Sequence, residues 1–213
     1  MKRRLLIGAA LVVACSEPTA PGRTAWYGFD FAGDVFRWPE SRVPVRYYAD
    51  PRSNMRELVE RAIGSWENQL LYGEFSGEIV SDSSLADVIV TWFDSVPPNV
   101  PPNVPPDTGP PVFACDGVTT LQLDSAGTAL AEPIHSQIRI TTAQVYTAAQ
   151  VAACLRRVTI HELGHTLGLL QESPAQEDIM YSSVQVSAPS ARDRQTVQVL
   201  YHTVPTIAPP PSR

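Results

Sequence analysis

The chain has 213 residues, 44% of them apolar and 18% charged, which suits one ordinary folded domain and excludes an intrinsically disordered chain. The formal net charge is −6, and no basic cluster follows the first four residues, so nucleic acid is excluded as the main partner. The longest apolar run, Leu5–Ala14, is about half of the roughly 20 residues that a membrane-spanning helix needs.

Met1-Lys2-Arg3-Arg4 is a positive stretch, and Leu5–Val13 is a short apolar one. Together they have the pattern of a secretory signal. The run ends in Val12-Val13-Ala14-Cys15, which resembles a bacterial lipobox. That resemblance implies a signal peptide over residues 1–14, cleavage before Cys15 and lipidation of Cys15. Acyl chains would hold the protein on the bacterial envelope. Ser16 after the Cys resembles an outer-membrane signal, and without lipidation the chain would be secreted. Contact with the membrane is thus expected through the N-terminal lipid only. Residues 15–35, rich in Gly, Pro, Thr and Ala, read as a flexible tether. With Cys15 lipidated, Cys115 and Cys154 remain, and an even pair in an exported chain suggests a disulfide; two buried free thiols are the alternative.

Arg42–Ala49 reads as a strand, with Val43, Val45 and Tyr47 alternating against Arg42, Pro44 and Arg46. Pro44 marks a sheet edge or the start of the strand. Ser53 or Asn54 offers an N-cap to a helix running to about Leu71, in which Met55, Leu58, Val59, Ala62, Ile63, Trp66 and Leu70 recur at helical spacing. Asp87–Phe93 is nearly all apolar and reads as a strand buried on both faces. Residues 96–111 carry a threefold Val-Pro-Pro-Asn/Asp repeat. Proline at this density lacks backbone donors and favours polyproline II, so a surface loop is expected. Val118–Leu123 and Ile134–Thr141 read as two further strands. A helix from about Thr147 to Leu167 and a last helix from Ser190 to His202 follow. Residues 206–213, rich in Pro, read as a disordered tail.

The chemistry lies in His161-Glu162-Leu163-Gly164-His165. On a helix, residues four apart share a face, so two imidazoles can grip one metal ion. Glu162, between them, can reach a water on that ion and take its proton. Gly168, three residues beyond His165, sits where a helix must break to bring back a third ligand.

The stretch His161-Glu162-Leu163-Gly164-His165-Thr166-Leu167-Gly168, followed by Met180-Tyr181, resembles the metzincin zinc peptidases, and within them the matrixin-like branch. The order of the flanking strands and helices agrees over residues 36–205. The resemblance implies an α+β fold: one metzincin-like domain with a twisted mixed β-sheet, a backing helix, an active-site helix and a C-terminal helix. It implies one catalytic Zn2+, hydrolysis of a peptide or protein substrate, and Met180 as a hydrophobic floor beneath the metal. The substrate would lie extended along an edge strand near Val118–Leu123.

The family's third histidine is missing. Counting forward from His165 through Gly168 lands on Gln171, and counting back from Met180 lands on Glu172. A carboxylate is an established zinc ligand and a neutral amide a poor one, which favours Glu172. The price is charge: a Glu ligand cancels one unit of the metal's, so the bound water is less acidified than with three imidazoles. Tyr181 directly follows Met180, whereas the transition-state Tyr of some branches stands two positions on, so that role is not transferred. His135 and His202 lack metal-ligand spacing and read as structural or surface residues. The scattered aspartates show no calcium-loop order, which leaves a calcium site unsupported. Two rivals remain: a degenerate metzincin-fold lipoprotein that binds zinc or peptide without turnover, and an interaction lipoprotein working through its Pro-rich repeat. A monomer is expected.

Overall fold

The computed structural model describes residues 24–52, 54–94, 114–141 and 147–211. The signal-like segment, Cys15 and the Pro-rich repeat lie outside them. Five strands, β1 (Val45–Ala49), β2 (Gly77–Val80), β3 (Val88–Asp94), β4 (Ala114–Thr120) and β5 (Ile134–Thr141), form one sheet in the order β2-β1-β3-β5-β4. All neighbours are parallel except β4 and β5, which are antiparallel. The helices are α1 (Met55–Glu67), α2 (Ala148–Thr166) and α3 (Ala191–Tyr201). This is the α+β metzincin-like architecture that the sequence implied. Among the described residues no helix is long and apolar enough to cross a membrane.

The period of two is visible in β1, where Val45, Tyr47 and Ala49 are buried and Arg46 and Tyr48 are half-buried. Pro44 directly precedes the strand, which lies inside the sheet between β2 and β3. α1 buries Met55, Leu58, Val59, Ala62, Ile63 and Trp66. A fully buried apolar side chain of this size contributes roughly 1.5–3 kcal/mol, so this stripe, rather than helix propensity, holds α1 in place. Asn54 takes the N-cap position, but its side chain makes no capping hydrogen bond. Reciprocal capping boxes are found at α2, between Thr147 and Gln150, and at α3, between Ser190 and Asp193.

Several expectations are corrected. α1 stops at Glu67, short of Leu71, and Leu70 is buried from the turn that follows. β3 is fully covered on one face only: Val88 and Val90 are buried and Trp92, on the same face, packs on the core, while on the other face Ile89 and Thr91 are half-buried and Phe93 is exposed. β2 was not anticipated. β4 begins and ends earlier than Val118–Leu123, because Asp116 and Gly117 have low strand propensity and masked its first half.

The terminal segments are also more ordered than their composition suggests. In the expected tether, Tyr27 and Val35 are buried, and the Trp26 amide donates to Thr196 Oγ1 on α3 at 3.2 Å. In the expected disordered tail, the amides of Thr206 and Ile207 donate to the Val35 carbonyl, and the Ala208 amide donates to the Thr128 carbonyl. Ile207 is buried, and Arg42 donates to the Pro210 carbonyl at 2.6 Å. The physical reason is long-range pairing, much of it between main-chain groups, which local composition does not report.

Candidate metal centre

The second half of α2 runs through the core, with every residue from Val158 to Gly164 buried. Its placement is fixed by polar groups that reach its main chain. Trp66 Nε1 donates to the Ile160 carbonyl and Trp38 Nε1 to the Thr166 carbonyl, both at 2.8 Å. The Tyr47 hydroxyl meets Thr166 Oγ1 at 3.1 Å. These contacts brace the part of the helix that carries His161, Glu162 and His165.

At Gly168 the chain turns with φ +106°, and a Cβ there would lie 1.9 Å from the Phe36 carbonyl oxygen. Only glycine satisfies both conditions. The chain then returns beside the helix: the Leu170 amide donates to the Phe29 carbonyl at 3.0 Å, and the Ser173 amide to the Met180 carbonyl at 2.7 Å. Glu172, between these anchors, faces the two histidines. Its Oε1 lies 3.6 Å from His161 Nε2 and 3.5 Å from His165 Nε2, and the two Nε2 atoms are 3.2 Å apart. Gln171 turns the other way and donates its amide to the Asp30 carbonyl at 2.7 Å.

The donor set fits a zinc ion. His161 Nδ1 donates to the Ile179 carbonyl at 2.8 Å, and His165 Nδ1 to the Leu169 carbonyl at 2.6 Å. Each imidazole thus carries a proton on Nδ1, which leaves its Nε2, turned toward the other, as the atom that would meet a metal. Donors around a tetrahedral zinc, at bond lengths of about 2.0–2.2 Å, stand roughly 3.3–3.5 Å apart, and the three observed separations fall close to that range. The field agrees. Burial would lower the His161 pKa, yet the Glu172 and Glu162 carboxylates and the Ile179 carbonyl raise it above its ordinary value. Burial would raise the Glu172 carboxyl, yet the two imidazoles bring it down to about 2. The field around His161 therefore favours positive charge.

Glu162 is buried and is no part of this triangle. Its Oε2 accepts from Thr119 Oγ1 on β4 at 2.7 Å. Gly117 on the same strand leaves room for it, since a Cβ there would fall 2.4 Å from Glu162 Cγ and Oε1. Met180 is fully buried directly under α2, its sulfur 2.3 Å from where a Cβ on Gly164 would lie. The Met180 turn is held from α3. Asp193 accepts from the amides of Ile179 at 2.8 Å and Ser190 at 2.7 Å and from the Tyr27 hydroxyl at 2.7 Å. Buried Asp178 accepts from Ser190 Oγ at 2.6 Å and Arg192 Nε at 2.9 Å.

Above the histidines lies a cleft of about 790 Å³, walled by β4 and by Ser182, Ser183 and Val184 of the loop after Met180. Among the described residues β4 is an edge strand of the sheet. The Cys115–Cys154 disulfide ties the first residues of β4 to α2. His135 and His202 are both exposed and stand apart from the centre. Sequence reasoning missed Gly117, Thr119, Asp178 and Asp193. Gly117 and Thr119 could not be found because the expected strand began at Val118, so the strand that carries them was only half recognised.

A prediction follows for Asp178. Burial would raise its carboxyl, but hydrogen bonds from Arg192, Ser173 and Ser190 outweigh this and hold it below its ordinary value. A carboxyl depressed on folding adds stability that is present above its unfolded pKa of about 3.9 and is lost as pH falls through the folded value. Asp178→Asn should therefore destabilise the protein clearly at pH 7, and the gap from wild type should close below about pH 4. Thermal unfolding across pH 7 to 2 checks this; a gap that stays constant would show that the ionised carboxylate is not what matters.

A mixed sheet with a parallel core, a buried helix presenting two histidines and a glutamate, a glycine break and a methionine turn beneath define a metzincin zinc peptidase domain. The matrixin family profile (Peptidase_M10) matches residues 44–202, and the chain belongs to that family of zinc-dependent metalloendopeptidases. No match was found among curated proteins.

Proposed function

We propose that this domain is a zinc-dependent endopeptidase whose metal is held by His161, His165 and Glu172 and whose general base is Glu162. The observation that carries the reading is the convergence of three donor atoms within 4.8 Å of one another at the floor of the cleft, beside a buried carboxylate outside the triangle. Zinc, when bound, polarises the scissile carbonyl and acidifies the attacking water. Glu162 takes the proton of that water and passes it to the leaving amine. The β4 edge pairs with the main chain of an extended peptide, which orients the scissile bond over the histidines. Glu172 adds one negative charge to the donor set, so it favours retention of the metal while moderating its acidity. The lipobox-like Cys15 supports an exported, lipid-anchored location on a bacterial envelope, with the domain acting there as a monomer on peptide or protein substrates.

Zinc analysis after exhaustive dialysis tests the ligand set. Wild type and Gln171→Ala should keep one equivalent, and Glu172→Ala should keep none. Loss of zinc from wild type would remove the proposal. Turnover of a quenched peptide library tests the chemistry. Stoichiometric zinc with no cleavage would leave the degenerate binder, which the missing third histidine favours.

A further inference from the structure

We propose that Thr119 is a positioning residue for Glu162: its hydroxyl fixes one carboxylate oxygen so that the general base keeps a single working orientation. Cys115, Gly117 and Thr119 are half-buried along β4, whereas Asp116, Val118 and Thr120 are exposed, as the period of a strand requires. Gly117 and Thr119 therefore act on the same neighbour, one by withholding a side chain and the other by supplying a hydroxyl. Thr119 Oγ1 lies 2.7 Å from Glu162 Oε2, 3.2 Å from the Glu162 carbonyl and 3.2 Å from Ser136 Oγ. Thr119 and Ser136 are cross-strand partners between β4 and β5, and Ser136 is fully buried.

A threonine hydroxyl has one proton to give. The carboxylate is the strongest of the three acceptors and the nearest, so the proton lies toward Oε2. Ser136 can then donate to Thr119 Oγ1, and its own immobility passes to the threonine. A glutamate side chain has three rotatable bonds, and without the hydroxyl the carboxylate, which lies against Gly117 of β4, would be free to turn away from the strand. The Thr119 hydroxyl closes that freedom without touching the metal triangle. A general base must stay within hydrogen-bond reach of its proton, and a displacement of about 1 Å can cost on the order of 100-fold in rate.

The kinetic arm rests on the endopeptidase reading, and a structural arm does not. Valine has nearly the shape of threonine and suits a strand, so Thr119→Val should fold and hold zinc as wild type does. We expect its kcat to fall about 10- to 100-fold with KM within about twofold. Thr119→Ser should regain most of the loss. In a Glu162→Gln background Thr119→Val should have little further effect. Crystals of Thr119→Val should show the Glu162 carboxylate displaced or in more than one conformer. A Thr119→Val enzyme with unchanged kcat, a Thr119→Ser variant as impaired as the valine one, or a Glu162 side chain unmoved in the crystal would overturn the proposal. If wild type shows no turnover, the endopeptidase reading fails, while the crystal comparison still decides the positioning role.

Discussion

Glu162→Gln should keep its zinc and lose its turnover. Glutamine preserves the size of the side chain, and its carbonyl can still accept from Thr119 Oγ1, which lies 2.7 Å from the present Oε2. What it cannot do is take a proton at working pH. Positioned general acid–base catalysis contributes typically 100- to 10,000-fold, which corresponds to roughly 3–5.5 kcal/mol of barrier. A fall in kcat of that order is expected, with KM little changed, because Glu162 lies outside the His161–His165–Glu172 triangle. The zinc content should stay at one equivalent. Steady-state kinetics and metal analysis on the same preparation give both numbers. Turnover that survives within tenfold of wild type would mean that another group moves the proton. Zinc that leaves with the carboxylate would mean that Glu162 has been misread as a non-ligand.

The parts of this site that were legible in the sequence are those that obey a local period. His161, Glu162 and His165 need only a helix, and the apolar stripe from Met55 to Trp66 needs only its own spacing. Glu172 over Gln171 was a choice of chemistry, and the return of the chain gives it a geometric counterpart. The Phe29 carbonyl and the Met180 carbonyl fix the main chain on either side, which turns successive side chains in opposite directions, one to Asp30 and one to the histidines. What stayed illegible depends on long-range pairing. Asp193 is separated from Tyr27 by 166 positions, and Thr119 from Glu162 by 43. No window of sequence reports such contacts. The terminal segments make the same point. Val35 is bound by the amides of Thr206 and Ile207, and neither stretch has a pattern that announces the other.

Gly168→Ala should be the most damaging single-methyl change in the domain. Two separate costs meet there. At φ +106° an alanine is strained, and its Cβ would lie 1.9 Å from the Phe36 carbonyl oxygen, a main-chain atom that cannot rotate away. Phe36 is fully buried against Trp38 at a ring-centroid distance of 5.2 Å, so the obstacle itself is braced by core packing. Backbone strain of this kind costs on the order of 1–3 kcal/mol, and relief of the contact should bring the total to about 3–5 kcal/mol. For a domain of this size that means a fall in Tm of roughly 6–20 °C. Gly33→Ala separates the two terms, because Gly33 has φ +93° but nothing within 4 Å of its Cβ position. It should cost only the backbone share, about 1–2 kcal/mol. The Gly168 variant should also lose zinc affinity, since the Leu169 carbonyl that orients His165 and the Leu170 amide that anchors the return to Glu172 both lie within two residues of it. Equal melting shifts for the two alanine variants would show that the approach to Phe36 relaxes freely. A Gly168→Ala protein that melts lower but binds zinc as wild type does would show that the break in the helix and the seating of Glu172 are independent.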